Sequence, residues 1–284
     1  MKRTVDNVMI IANCTKPGAE ELVEVISSYL ARKSIAVTTL RLCGRTDPPP
    51  VPDVDLVFSL GGDGTVLFCT RMLRDRAIPI LPVNLGTFGF ITEVSVDEWR
   101  DSFEQYVSGS LDLSHRLMIR VTVTRGGKQV FRNRGLNEMV VKASGISNIV
   151  NLQLHLNQTL LGKFRADGII VSTPTGSTAY SMAAGGPILD SEMDALIVTP
   201  VCPFTLSNRP IVVAGEDIIH IEVSEHQRTD VNLSLDGQDN LPLREGDLIT
   251  IERSRNRALL VLSNKRNFYE VIRSKLNWSG ERNA

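Results

Sequence analysis

Aromatic residues are scarce in this chain: 9 Phe, 4 Tyr and 2 Trp among 284 residues. The core therefore has to be built mostly from aliphatic side chains. Cysteine is rare as well. Cys14, Cys43, Cys69 and Cys202 lie far apart and form no CxxC pair. That spacing excludes a zinc ribbon or a disulfide framework and leaves free thiols of a reducing compartment as the expectation. His115, His155, His220 and His226 are scattered without an HxxxH pair, so a helix-borne zinc site is excluded too. Neither sign of charge dominates. With 31 Lys and Arg against 32 Asp and Glu the net charge is −1, and no basic excess marks a nucleic-acid or membrane partner. No run of about 18 apolar residues is present to cross a bilayer. The opening MKRTVDNVMIIAN has a short apolar run but no small-residue cleavage site. It reads as a first strand rather than a secretory signal, and a cytoplasmic location is expected. Several nucleotide-enzyme signatures are also missing. There is no GxxxxGK[ST] loop, Leu67 stands where a GxGxxG turn starting at Gly62 needs its third glycine, and His115-Arg116 is followed by Leu117 rather than Asp.

What remains is an ordinary globular composition, 42% hydrophobic and 22% charged. At roughly 150 residues per domain, two domains are expected. The first third alternates strand and helix patterns. NVMIIAN (7–13) and IAVTTLRL (35–42) are β-type runs. Between them, residues 18–33 repeat Leu22, Val23, Ile26 and Leu30 at helical spacing. The proline-rich TDPPPVP is a loop. DLVFSL (55–60) is a buried strand entering GGDGT, followed by a helix over about 65–75. IPILPVN (78–84) is a further strand and 96–109 a further amphipathic helix, ended by Gly109. This alternation predicts an α/β domain with a parallel sheet over residues 1–110. From about residue 117 the helical period disappears. Alternating runs flank Gly126-Gly127 as a hairpin, and short strands with turns between them continue to about residue 264. An all-β, sandwich-like domain over 111–264 is expected. FYEVIRSKLNW (268–278) returns to a helical pattern, so 265–284 is expected to form a C-terminal helix returning to the first domain. Trp99 and Trp278 read as packing residues on helices.

Three segments carry chemistry. In SLGGDGTVL, Gly61, Gly62, Gly64 and Thr65 form a turn between a buried strand and a helix. Glycine there permits positive φ and close approach of a ligand, and the helix N-terminus favours phosphate. Asp63 in that turn is either a base or metal ligand, or a plain helix cap. VNLGTFGFITE (83–93) supplies a second glycine turn at the end of a neighbouring strand. It either lines the same crevice or is a plain connection with Phe88 and Phe90 packed inward. FRADGIIVSTPTGSTAYSMAAGGPIL (164–189) is rich in hydroxyls and glycines. Those hydroxyls either bind sugar, phosphate or base, or satisfy local backbone.

Six blocks occur in order: GGDGT (61–65), NLGTFGF (84–90), LNEMVV (136–141), ADGIIVSTPTGSTAYSMAAGGPI (166–188), TPVCPFTLSNRPIVV (199–213) and SLDGQ (234–238). Together they resemble the NAD kinase family over roughly residues 55–278. A GGDGT turn also occurs in kinases of the diacylglycerol type, but STPTGSTAY and the Asn-Glu pair favour the first resemblance. The resemblance implies an enzyme that phosphorylates the 2′-hydroxyl of the adenosine ribose of NAD to NADP. The donor would be ATP or polyphosphate, with a divalent metal such as Mg²⁺, in a homodimer or homotetramer. It makes Asp63 the proton acceptor, with Gly64 against the substrate. It matches Asn137 and Glu138 to the pair at the adenine end. Arg165 and Asp167 match residues that contact the dinucleotide, in part across a subunit interface. Thr178, Ala179, Tyr180 and Ser181 match the segment flanking adenine and ribose, and Gln238 the last contacting position. Ala183 stands where many members have Ser, and Asn148 at a polar position. No metal ligand is carried over. A non-catalytic NADP(H)-binding regulator of the same fold is disfavoured by the retention of Asp63.

Overall fold

The computed structural model describes residues 2–44, 49–87, 89–144, 149–205, 207–263 and 265–278. The chain divides into two units, Met1–Arg116 with Ala258–Ala284, and Leu117–Arg257.

The first unit is built on a seven-stranded sheet in the order Ala36–Leu42, Asn7–Asn13, Leu56–Gly61, Ile80–Asn84, Ala258–Val261, Leu113–Arg116, with Val94–Ser95 beside Ile80–Asn84. The sheet is mixed rather than wholly parallel, because Ala258–Val261 runs antiparallel to Leu113–Arg116. Those two short strands also set the boundaries. Pairing of Ala258 with Arg116 carries both into the first sheet, so the junctions fall at 116/117 and 257/258 instead of 110/111 and 264/265. Leu56–Gly61 and Ile80–Asn84 are buried along their whole length, as strands covered on both faces must be. Helix Ala19–Arg32 turns Leu22, Val23, Ile26 and Leu30 inward, with Glu20 and Glu21 in its first turn and Arg32 in its last, complementing its dipole. Helix Trp99–Ser108 ends on Gly109 at φ 77. Its Trp99 and Phe103 pack on Phe58 and Tyr29, ring edge to ring face for three of the four contacts. Helix Phe268–Lys275 opens with a reciprocal Asn267–Glu270 capping box. It is tied to the rest of the first unit by Arg266, which donates to Glu93 O at 2.8 Å and to both oxygens of Glu98 at 3.0 Å. Trp278 departs from expectation: it is 67% exposed, three residues past the helix end.

The second unit is a sandwich of two six-stranded antiparallel sheets. One runs Thr159–Ala166, Val150–Leu156, Ile219–Val223, Leu248–Arg253, Ile119–Arg125, Lys128–Gly135. The other runs Ile211–Ala214, Ala195–Val201, Gly168–Ser172, Glu138–Ala143, Val231–Leu235, Asp239–Leu243. One aliphatic core takes Val121, Leu152, Ile221 and Ile249 from the first sheet and Val141, Ile169, Val198 and Leu233 from the second. Gly168–Ser172 is buried at every residue, which places the start of the STPTGST block on a rigid central strand.

Candidate active site

Each unit carries one constellation. In the first, strand Leu56–Gly61 runs through Gly62 directly into helix Asp63–Leu73. The helix starts two residues earlier than the sequence pattern implies. None of Gly61, Gly62 and Gly64 adopts positive φ, so glycine serves another purpose here. A Cβ at Gly61 would fall 2.2 Å from Thr65 Oγ1, whereas at Gly62 or Gly64 it would meet nothing within 4 Å. The turn is packed at its start and open-sided at the two following glycines.

Asp63 does not cap its helix. Its carboxylate reaches the second glycine segment. Oδ2 accepts from Phe90 N at 2.9 Å, and Oδ1 accepts from Ile91 N at 3.3 Å, Thr92 N at 3.1 Å and Thr92 Oγ1 at 2.8 Å. Gly89 makes this possible, because a Cβ there would lie 1.7 Å from Asp63 Oδ1. Asn84 holds the other side: Nδ2 donates to Thr87 O and Thr92 Oγ1, each at 3.0 Å, while Oδ1 accepts from Gly86 N at 2.7 Å. GGDGT and NLGTFGFIT thus form one hydrogen-bonded body. The two oxygens of an ionised carboxylate offer about four acceptor positions; Oδ1 takes three donors and Oδ2 only one, so Oδ2 keeps a lone pair. That lone pair is where Asp63 can take a substrate proton. Phe90 is half-buried beneath Lys275 Nζ, 5.3 Å from its ring centroid. Phe88 lies outside the described residues, as does Asn148.

In the second unit, Asn137 and Glu138 stand at the start of strand Glu138–Ala143. Asp236 turns back on them at φ 50. Its carboxylate accepts from Leu136 N at 2.7 Å, Asn137 N at 2.9 Å and Glu138 N at 3.0 Å, and its own N–H donates to Glu138 O at 2.9 Å. From the other side, Thr173 N donates to Asn137 O at 2.9 Å. Gly176 presses so close that a Cβ would sit 2.2 Å from the same carbonyl oxygen.

The hydroxyl-rich block is mostly spent on its own fold. Thr173 Oγ1 donates to Leu136 O, Ser177 Oγ accepts from Leu189 N, Thr178 Oγ1 donates to Thr175 O, and Ser181 Oγ shares a hydrogen bond with Thr199 Oγ1. Ligand recognition by Thr178 or Ser181 would draw on hydroxyls already engaged and buried. Around this turn, Asn137 Oδ1, Glu138 Oε2 and Thr175 Oγ1 are buried polar atoms with no partner among the described residues. Buried polar atoms left unpaired are costly in a folded protein, which makes these three candidates for contact with a ligand. Ala179 is half-buried, while the Tyr180 ring and Ala183 are exposed. Gln238 is half-buried, its N–H donating to Leu235 O at 2.9 Å. Arg165 and Asp167 stand apart. Ser172 lies opposite Glu138, but Gly168 lies opposite Lys142, so Asp167 is about one strand length, roughly 17 Å, from Glu138. Arg165 is exposed, its guanidinium 5.1 Å from the Phe204 ring.

Burial pushes the Glu138 carboxyl up to about 8, reinforced by the nearby Asp236 charge and opposed by a hydrogen bond from the Tyr180 backbone N–H. Burial also raises Asp236, to about 6, against the pull of its three backbone donors. The folded protein therefore holds a proton on Glu138 more tightly than the unfolded chain, whose Glu titrates near ~4.3. Stability from this residue is complete below about pH 4 and falls as pH rises toward 8. Glu138→Gln should raise the melting temperature relative to the parent more at about pH 8.5 than at about pH 5. Thermal melts at the two pH values check this, and an equal difference at both would refute it.

Among the described residues no three His, Cys, Asp or Glu side chains converge on a metal position, and the Asp63 carboxylate is already held by four donors. These residues do not fit a resident divalent ion. Asn84, Thr92 and Asp236 are site residues that the sequence did not single out. Asp236 carried a signal in its Asp-Gly turn; Thr92 and Asn84 flank the second glycine segment without one.

Two family models match the chain: the ATP-NAD kinase N-terminal domain over residues 48–111 and the ATP-NAD kinase C-terminal domain over residues 136–263. The chain is similar to the NAD kinase of Treponema denticola, 41% identical over 274 residues and 96% of each chain. It is likewise similar to the NAD kinase of Trichlorobacter lovleyi, 42% identical over 283 residues, 97% of this chain and 99% of that one. Among solved structures it is similar to yeast NADH kinase complexed with NADH, with a TM-score of 0.89 and 25% identity over 99% of this chain and 91% of that one. An NAD kinase from Archaeoglobus fulgidus in complex with ATP shares the fold, with a TM-score of 0.77 and 24% identity over 96% of this chain and 100% of that one.

Proposed function

The chain belongs to the NAD kinase family, and from that premise we propose that it transfers a phosphoryl group from ATP, or another phosphoryl donor such as polyphosphate, to the 2′-hydroxyl of the adenosine ribose of NAD, yielding NADP. The observation that carries the binding half is the trio of buried, unpartnered atoms on Asn137, Glu138 and Thr175. The yeast relative, solved with NADH, supports a dinucleotide as the acceptor. Asn137 and Glu138 bind the adenosine end, Tyr180 lays its exposed ring against it, and Ala179, Thr178, Ser181, Ala183 and Gln238 line it.

Asp63 takes the hydroxyl proton. Phosphoryl transfer asks a protein chiefly to position groups and to balance charge. The hydrogen bonds from Phe90, Ile91 and Thr92 orient the Asp63 carboxylate. The second lone pair of Oδ2, beside the one that accepts from Phe90 N, takes the proton as the hydroxyl oxygen attacks. Gly61, Gly62, Gly64 and Thr65 form the turn for the donor's phosphates, with the open sides of Gly62 and Gly64 toward them. A divalent ion such as Mg²⁺ would come with the donor's phosphates rather than from this chain's side chains, and would offset their charge. Steady-state assay with NAD or NADH against ATP or polyphosphate, with NADP read by a coupled dehydrogenase, tests the reading. NADP or NADPH formed with at least one donor supports it; none with either donor refutes it.

Tyr180→Ala should raise the KM for NAD by roughly 2- to 10-fold and spare kcat, since stacking is worth about 0.5–1.5 kcal/mol and is lost equally from ground and transition states. A lowered kcat at unchanged KM would reject that role.

Arg165 and Asp167 serve the dinucleotide of a neighbouring subunit. Their distance from Glu138 along the strand, and the exposed Leu160 and Leu161 on the same strand as Arg165, favour that arrangement. At least a dimer is expected in solution, with specific activity falling on dilution below its dissociation constant. Light scattering that finds a fully active monomer would overturn this. No helix among the described residues is long and apolar enough to cross a membrane, and the four thiols are free. Free thiols suit a reducing compartment, and a cytoplasmic location is our reading.

A further inference from the structure

We propose that Glu138 meets the dinucleotide as a neutral carboxylic acid, its Oε2–H donating a hydrogen bond to a lone pair of the nucleotide, while Asp236 keeps the negative charge of the pair. The inference rests on the reading that residues 137–138 bind NAD, and deepens it by naming the polarity of one contact.

The argument begins with two carboxyl groups that share one desolvated region. Each raises the cost of ionising the other, and a single charge is cheaper than two. Hydrogen-bond donors decide which group is charged, because donors aimed at a carboxylate stabilise its anion. Asp236 has three, the backbone N–H groups of Leu136, Asn137 and Glu138, at 2.7, 2.9 and 3.0 Å. Glu138 has one, from the Tyr180 backbone. The charge therefore settles on Asp236 and the proton on Glu138. Among the described residues, the charged group whose field acts on Glu138 is Asp236, and Asp239 adds a second negative field at Asp236. The raised titration of Glu138, to about 8, agrees with this division.

Geometry then makes the proton useful. Glu138 is 8% exposed and its Oε2 is buried without a partner. An ionised oxygen there would be an uncompensated charge, whereas a protonated one is a donor waiting for an acceptor. The backbone beneath it is held on both sides, by Asp236 and by Thr173 N–H on Asn137 O at 2.9 Å, so the donor is preorganised. A carboxylic acid kept neutral by its surroundings so that it can donate is a known device of enzyme sites.

The test uses the whole protein and two readouts. Carbon-13 NMR of glutamate-labelled protein, with the Glu138 carboxyl signal assigned by its loss in Glu138→Gln, follows its titration without any ligand. A midpoint near 8 is expected; one near the ordinary ~4.3 overturns the proposal. Calorimetric titration with NAD alone, over about pH 6 to 9.5, follows binding. The parent should lose affinity by about tenfold per pH unit above the midpoint. Glu138→Gln, a neutral donor at every pH, should show no such slope and stay within about threefold of the parent near pH 6.5. Affinity more than about tenfold weaker in Glu138→Gln at every pH would mean an ionised acceptor and would sink the proposal while leaving the binding reading intact. A high NMR midpoint with NAD affinity indifferent to both pH and the substitution would instead sink the binding reading, and the proposal with it.

Discussion

Asp63→Asn is expected to lower kcat by roughly 10²–10⁴, the usual worth of a general base, with NAD still bound. A ribose hydroxyl is a weak nucleophile at neutral pH, and Asn keeps the shape of the side chain without its basicity. The structure adds a second consequence. Both oxygens of Asp63 accept from donors on Phe90, Ile91 or Thr92, so in either orientation an amide NH₂ must face an N–H or O–H donor. The variant should therefore also lose about 1–3 kcal/mol of stability. Thr92→Val separates the two effects. It removes the Oγ1 donor at 2.8 Å and leaves the carboxylate, so it should lose stability comparably but less than about tenfold in kcat. If Thr92→Val costs as much kcat as Asp63→Asn, Asp63 acts as a clamp on the 89–92 segment and not as a base. Recovery of the Asn variant by excess Mg²⁺ would make Asp63 a metal ligand instead. Near-normal kcat in the Asn variant would remove it from the chemistry altogether.

Gly176→Ala should be the most damaging single methyl. Its Cβ would stand 2.2 Å from Asn137 O, 2.5 Å from Asn137 C and 2.6 Å from Asn137 Cα. These are backbone atoms at the entry to a strand paired on both edges, and neither wall has a flexible side chain to move. We expect a loss of roughly 3 kcal/mol or more in unfolding free energy. NAD affinity should fall at least about tenfold even where the protein remains folded, because the Asn137–Glu138 step is what the methyl displaces. Gly62→Ala is the stability control: nothing lies within 4 Å of its Cβ and φ is −120, so its melting temperature should hardly change. Denaturant titration and NAD calorimetry on both variants check this, and equal stability for the two would refute the packing argument.

Much of the molecule was legible in the sequence because its determinants are local. Leu22, Val23, Ile26 and Leu30 recur at a helix period and are the buried face of Ala19–Arg32. Gly109 ends its helix in the left-handed conformation, and Gly126 and Gly127 turn their hairpin at φ 53 and 76. The strand–helix alternation before residue 110 and the repeated short strands after it announced two kinds of domain. The order and spacing of GGDGT, LNEMVV and STPTGSTAY carried the family.

The remainder depended on partners far along the chain, which no local pattern encodes. Leu113–Arg116 and Ala258–Val261 are four-residue strands whose sheet is decided by pairing with each other across the whole second unit. The hydroxyls of STPTGSTAYS suggested ligand donors, but Ser177 and Ser181 found Leu189 and Thr199 within the fold. Asp63 was visible as an odd carboxylate in a glycine turn. That its oxygens are held by residues 27 to 29 positions later is a tertiary fact. So is the burial of Glu138 beside Asp236. Sequence periodicity determines which face of an element is apolar, and so determines the elements and the family. The protonation and hydrogen-bond occupancy of each site carboxyl are decided by how many donors and charges the fold brings within a few ångströms, and that number exists only once the chain has packed.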